Sequence, residues 1–276
     1  MRVAILRHDA RLTDDNPVAS VVLTQIVHTL EAAGHTVLFF KKSQIELRHD
    51  VSRIAKIMAK TPADAWIVEA GTRPLLEWCT EQQTPCLALY GRTGGLKLAR
   101  TGPDKVPAYR AAARLLLKLG HRRIVNISRS VGFPAATERA FLEELAAAGV
   151  VTGDYNLPDW EETPRGFSSL LERLFRGSAP TALIVDEAPR YIAAVEFLAR
   201  RGIKVPEQVS LISTEDDASL AWCYPPIARM SWDAVPVIRR VVRWVDAVRK
   251  GKADCKIINY PAEFIPGGSI GPVWKG

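Results

Sequence analysis

Residues 180–217, PTALIVDEAPRYIAAVEFLARRGIKVPEQVSLISTEDD, hold a whole strand, helix, strand unit with its punctuation intact. Ala182 to Val185 is an apolar run of strand length. From about Pro189, Ile192, Val195, Phe197 and Leu198 recur at helical spacing, and Gly202 supplies the helix C-cap. Val205-Pro206 turns the chain, and Val209 to Ile212 forms a second apolar strand that runs into Glu215-Asp216-Asp217. Two strands joined by a helix of that length need a crossover, so they are expected to be parallel. Such sheets bind ligands beyond the carboxyl ends of their strands, where Asp186, Glu187 and Glu215 fall. Acidic side chains there point to a ligand rich in hydroxyl or amine donors.

The same alternation runs through the chain. Strands are expected at 3–6, 36–40, 65–68, 86–89, 124–127 and 256–259, and helices at 17–33, 51–59, 74–80, 108–119 and 235–248. Residues 91–107, rich in Gly, Pro and charge, read as a crossing between lobes, and Tyr224-Pro225-Pro226 as a stiff break. VAILRH leading to LEAAGHTV and IVNISRS leading to LEELAAAGVV repeat one plan. The expected fold is α/β, with two doubly wound parallel-sheet lobes. Residues 1–105 plus 227–250 would form the N-terminal lobe, 106–226 plus 251–276 the C-terminal lobe, with a ligand cleft between them.

Composition narrows the class. With 276 residues, 47% hydrophobic and 24% charged, the chain is ordinary globular material with room for two cores. No run approaches the roughly 20 apolar residues of a membrane span, no signal peptide precedes the first strand, and a cytoplasmic location is expected. Cys79, Cys86, Cys223 and Cys255 lack CxxC spacing and read as reduced and structural. The net charge of +7 is spread along the chain. Arg110, Arg114 and Lys118 share a helix face, read as a solvated face in preference to a nucleic-acid surface.

Enzyme motifs do not fit. Gly267-Gly268-Ser269-Ile270-Gly271 matches a nucleophile elbow in form, yet Pro272 follows where a helix is needed, and no acid and histidine partners come later. Gly91-Arg92-Thr93-Gly94-Gly95 is neither a Walker loop nor a dinucleotide fingerprint. The histidines show no metal-ligand spacing, and no cofactor or metal is expected.

Candidate ligand residues lie in loops after strands or at helix starts. Asp9, Asp14 and Asn16 follow the first strand, although Asn16-Pro17 also reads as an N-cap. Glu69, Arg92 and Arg129 follow later strands. Trp160 sits in a polar loop and offers either a flat apolar face to a sugar or a lid over the core. Asp186 and Glu215 would accept hydroxyl hydrogens. Trp232, where the chain re-enters the first lobe, is a candidate that doubles as hinge packing.

Leu119-Gly120-His121-Arg122-Arg123-Ile124, Pro180-Thr181-Ala182, GIKVPEQVS at 202–210 and EFIPGGS at 263–269, in this order, resemble the lactose-repressor (LacI/GalR) type regulators and the periplasmic sugar-binding proteins that share their core. The resemblance covers nearly the whole chain. It implies a periplasmic-binding-protein fold with a multi-strand hinge, an effector-binding and homodimerising role, and DNA contact only through an N-terminal head outside this chain. Segments such as LPDWEETPRGF look like those of cores fused to a winged-helix head. The resemblance also marks departures. Thr137 stands where the family commonly places a ligand-contacting arginine, Glu187-Ala188 where it has Asn-Asp, and Glu215 where it has aspartate. A stand-alone solute-binding protein is the alternative reading.

Overall fold

The computed structural model describes residues 1–9, 17–91, 93–128 and 134–274, with the side chains of 17–20 excepted. The chain divides into two compact units, 1–104 with 233–260 and 105–232 with 261–276.

The first unit contains β1 (Arg2–Leu6), α1 (Pro17–Ala32), β2 (Thr36–Phe39), α2 (Val51–Lys60), β3 (Ala65–Glu69), α3 (Arg73–Thr80), β4 (Cys86–Leu89) and β5 (Ala99–Asp104). These strands lie in the order β2-β1-β3-β4-β5, every neighbouring pair parallel. Apart from Arg2 at the start of β1 and Glu69 at the end of β3, the residues of β1, β3 and β4 are apolar, and the strands are buried along almost their whole length, as expected of strands covered by helices on both faces. Ile54 and Met58 of α2 and Leu75, Leu76 and Cys79 of α3 close one face.

The second unit contains α4 (Val106–Lys118), β6 (Ile124–Ile127), α5 (Ala136–Ala147), α6 (Pro164–Arg176), β7 (Ala182–Val185), α7 (Ala188–Arg200), β8 (Ser210–Ser213), a 3-10 turn (Ala218–Trp222) and β9 (Ala228–Trp232). Its strands run β6-β7-β8-β9, all parallel. Two clusters sandwich them: Phe167, Leu170, Tyr191 and Phe197 on one face, Tyr109, Leu116, Phe141 and Leu145 on the other. α8 (Ala234–Arg249) returns to the first unit, and β10 (Ile257–Ile265) is shared in sequence between the two. Its later residues pair antiparallel with β9.

Four features depart from the sequence reading. The stretch 91–107 is not all loop: ARTGPD forms β5 through backbone pairing with β4, which an apolar-periodicity test does not register. β9, ARMSW, was likewise hidden by its mixed composition. Because β9 pairs with β8, residues 227–232 belong to the second unit, where the lobe boundary expected them in the first. Residues 251–260 belong to the first unit, opposite to expectation, with Lys256 O accepting the Arg100 amide.

The EFIPGGS segment has a packing reason. A Cβ on Gly267 would lie 2.3 Å from the Ile227 carbonyl carbon, so only glycine fits. Ser269 Oγ then donates to Leu211 O (2.6 Å) and accepts from Ala228 N (2.8 Å), tying the tail to β8 and β9. Ser269 is thus a structural bridge, which agrees with rejecting the nucleophile elbow.

Candidate functional site

In the first unit the strand order reverses direction between β1 and β3, whereas the described strands of the second unit run β6-β7-β8-β9 without a reversal. Open α/β sheets bind ligands at the carboxyl ends of strands beside such a switch point. Backbone strain marks the same ends. Ala70 after β3, Tyr90 after β4 and Glu187 after β7 have φ of 44°, 70° and 56°, a region that side-chain-bearing residues occupy at a cost and that clusters at functional sites.

In the first unit, Glu69 ends β3 and is buried. Its Oε2 accepts the His8 amide (3.1 Å), and its carbonyl accepts Gln44 Nε2 (2.6 Å). Gln44 N and Ile45 N in turn donate to Arg7 O and His8 O, so the 43–49 segment is laced to the end of β1. The His8 and His49 rings lie 5.4 Å apart there. Asp9 is buried beside His8 at the same strand end. Asp14, Asn16, Arg92 and Arg129 lie outside the described residues.

In the second unit, Asp186 and Glu187 leave β7 and meet Arg190, one turn along α7. Arg190 Nη1 stands 2.7 Å from Asp186 Oδ1 and Nη2 3.3 Å from Glu187 Oε2. The guanidinium also lies over the Trp160 ring, 5.1 Å from its centroid. Burial opposes the Arg190 charge, but Asp186 and Glu187 outweigh it and hold the group above its ordinary value. Trp160 meets Phe167 edge to face at 5.5 Å and donates from Nε1 to Ser128 O (3.0 Å). Ser128 Oγ donates to Glu138 Oε1 (2.6 Å), whose other oxygen caps the Ala135 amide.

Glu215, after β8, is half-buried; its amide donates to Ser213 Oγ (3.1 Å). Lys105 Nζ donates to Thr214 O (3.1 Å). Burial pushes the Tyr109 phenol far up, with Asp186, Glu138 and Glu215 adding to the effect against its bond to Thr214. Tyr109 therefore stays a neutral hydroxyl among carboxylates.

The structure thus gathers Trp160, Asp186 and Glu187 into one cluster, and puts Glu215 at the end of the neighbouring strand. Thr137 is half-buried on the first turn of α5. Trp232 ends β9 and packs with the α4/α5-side core. Sequence reasoning missed Arg190 and Gln44. Arg190 was visible as a cation three and four residues after two acids at a helix start, whereas Gln44 in a short loop gave no signal. Arg110 and Arg114 pair with Glu144 on α5 at 2.8 and 2.7 Å, as befits a solvated ion-paired face. Among the described residues, no cluster of three His, Cys, Asp or Glu could hold a metal, and no helix is long and apolar enough to cross a membrane.

Two parallel-sheet units, with one strand shared in sequence between them and polar groups at the strand ends, define the periplasmic-binding-protein-like class. The model of the periplasmic binding protein-like domain family matches residues 113–270, more than half of the chain, and the chain belongs to that family. It is 27% identical over 141 residues to the HTH-type transcriptional regulator AscG of Escherichia coli (strain K12), 50% of this chain and 42% of that one. The chain spans less than half the length of the curated relatives it matches. Among solved structures, a transcriptional regulator CelR-cellobiose complex superposes with a TM-score of 0.80 at 20% identity, over 97% of this chain and 84% of that one. The transcription regulator CcpA of Lactococcus lactis does so at 0.81 and 14% identity, over 98% and 99%. All three of these similar proteins are transcriptional regulators.

Proposed function

We infer that this chain is the effector-sensing core of a transcriptional regulator and takes a small polar, sugar-like ligand at the carboxyl ends of its strands. The observation that carries this reading is the cluster after β7 and β8, where Asp186, Glu187 and Glu215 supply hydroxyl acceptors beside Arg190 and Trp160. Arg190 lies over one face of the indole, so a ligand that stacks on Trp160 uses the other face or displaces the arginine. Asp9, Glu69, Thr137 and Trp232, together with Asp14, Asn16, Arg92 and Arg129, stay in the proposal as further contacts. Closure of the two lobes on the ligand, passed through a homodimer to a DNA-binding head, completes it.

Thermal-shift screening against cellobiose, other sugars, sugar acids and polyols tests the reading. A stabilising compound whose effect is lost in Glu215→Gln and Asp186→Asn is the expected result. Unchanged affinity in both variants would remove these residues from the site.

A further inference from the structure

A second feature of the second unit is not absorbed by the strand-end cluster. A cavity of about 1160 Å³ opens on the outer side of β6, walled by Leu142 of α5, by Asp154 and Leu157 of the segment alongside β6, and by Arg173 of α6. Asn126, the third residue of β6, contributes to its lining. The β6 pattern is Ile-Val-Asn-Ile, and Ile124, on the same face as Asn126, joins the core with Phe141 and Leu145. The neighbouring strands offer Ile184 and Ile212 to that core. Asn126 is therefore a polar residue in an apolar row.

Its amide is 1% exposed, and neither Oδ1 nor Nδ2 has a hydrogen-bond partner among the described residues. Buried side-chain amides are nearly always bonded, and an exception calls for something that supplies the bonds. Asn156, next to it, shows the ordinary case. Its Nδ2 donates to Ile124 O (2.9 Å) and its Oδ1 accepts the Gly153 amide (3.1 Å). The Asn156 carbonyl also accepts the Asn126 backbone amide (2.8 Å), so only the Asn126 side chain lacks a structural use.

We propose that this cavity is a second small-molecule site, for an uncharged compound whose edge carries an N–H beside a C=O, as a carboxamide or a nucleobase does. An asparagine side chain is one donor beside one acceptor, and such an edge satisfies both at once. Leu142 and Leu157 supply apolar walls for the attached ring. Asp154, Asp159 and Glu138 outnumber Arg173, which is already bonded to Asp159 O (3.0 Å), so the lining disfavours anions. The site lies wholly within one unit and does not depend on the sugar-like ligand.

The test uses uracil and benzamide as probes, with benzoate as the ring lacking an amide edge, followed by saturation-transfer NMR and calorimetric titration of the whole chain. Uracil or benzamide binds at millimolar concentration or better and benzoate does not. Asn126→Leu weakens binding at least about tenfold, the equivalent of about 1.4 kcal/mol, without lowering the unfolding temperature, because an unbonded buried amide is replaced by an apolar group of similar size. Leu142→Trp fills the cavity and abolishes binding from the opposite wall. No binding of either amide probe, or binding unaltered in both variants, overturns the proposal. The probes and variants differ from those of the sugar screen, so the two readings fail independently.

Discussion

Arg190 holds its guanidinium 5.1 Å from the centre of the Trp160 ring while bridging Asp186 and Glu187. One cation therefore neutralises the strand-end acids and fixes the aromatic beside them. Only 15% of the Arg190 side chain is exposed, so its removal leaves two close carboxylates poorly compensated. Arg190→Met is expected to lower stability by about 1–3 kcal/mol, by loss of charged hydrogen bonds and of the cation–π contact. Urea denaturation measures this, and a change within about 0.5 kcal/mol would show that the contacts carry no net stability.

The Trp160 indole is anchored separately by its bond to Ser128 O. Trp160→Phe keeps the ring and loses that donor, with an expected cost of about 1 kcal/mol. Trp160→Ala loses the ring as well, exposing Phe167, and is expected to cost about 3 kcal/mol. Equal effects of the two substitutions in chemical denaturation would mean that the ring contributes nothing beyond its N–H.

Much of this arrangement was legible in the sequence, for reasons of period and burial. β1, β3, β4, β6, β7 and β8 are short apolar runs because parallel strands are covered on both faces, and their spacing shows wherever a helix follows. β5 and β9 carry no such run. ARTGPD and ARMSW are strands because neighbouring backbones offer partners, which is tertiary information. The lobe boundaries moved for that reason. The strand-end acids could be placed by counting from each apolar run, and Asp186 and Glu187 fell where expected. The bonds that fix them, Arg190 over Trp160 and Gln44 on Glu69, depend on loop conformations that composition does not encode.

His121 gives stability a pH dependence. Its Nε2 lies 2.9 Å from Gly271 O, and its Nδ1 3.0 Å from Thr181 Oγ1, an arrangement that a neutral ring with its proton on Nε2 satisfies. Burial lowers its pKa below the ordinary 6.5, against the opposing bond to Gly271. With the folded value depressed, the unfolded chain takes up the proton first. The His121 contribution is complete above pH 6.5 and is lost as pH falls from there through the folded value. His121→Gln is expected to flatten the unfolding-temperature profile between pH 7 and pH 5 relative to wild type. Parallel profiles would assign the dependence to other groups.

Arg240 of α8 is the most deeply buried arginine among the ion pairs of the described residues, 6% exposed, and Asp254 answers it with Oδ2 at 3.0 Å and Oδ1 at 2.6 Å. Asp254 also accepts the Lys256 amide (2.9 Å), just before β10, and its carbonyl accepts Trp244 Nε1 (3.1 Å). One aspartate thus joins α8 to the strand that leads out of the first unit. Burial alone would raise the Asp254 pKa, but Arg240 and the Lys256 amide together hold it below the ordinary value. A depressed carboxylate stabilises the fold above its unfolded pKa, and that contribution fades as pH drops through the folded value. Asp254→Asn keeps the shape and removes the charge that faces a buried guanidinium, for an expected loss of about 3 kcal/mol at neutral pH. Replacing Arg240 with Met in the same background removes the stranded charge and recovers part of that loss. A double variant as unstable as the sum of the two single variants would show that the pair acts through packing and not through charge.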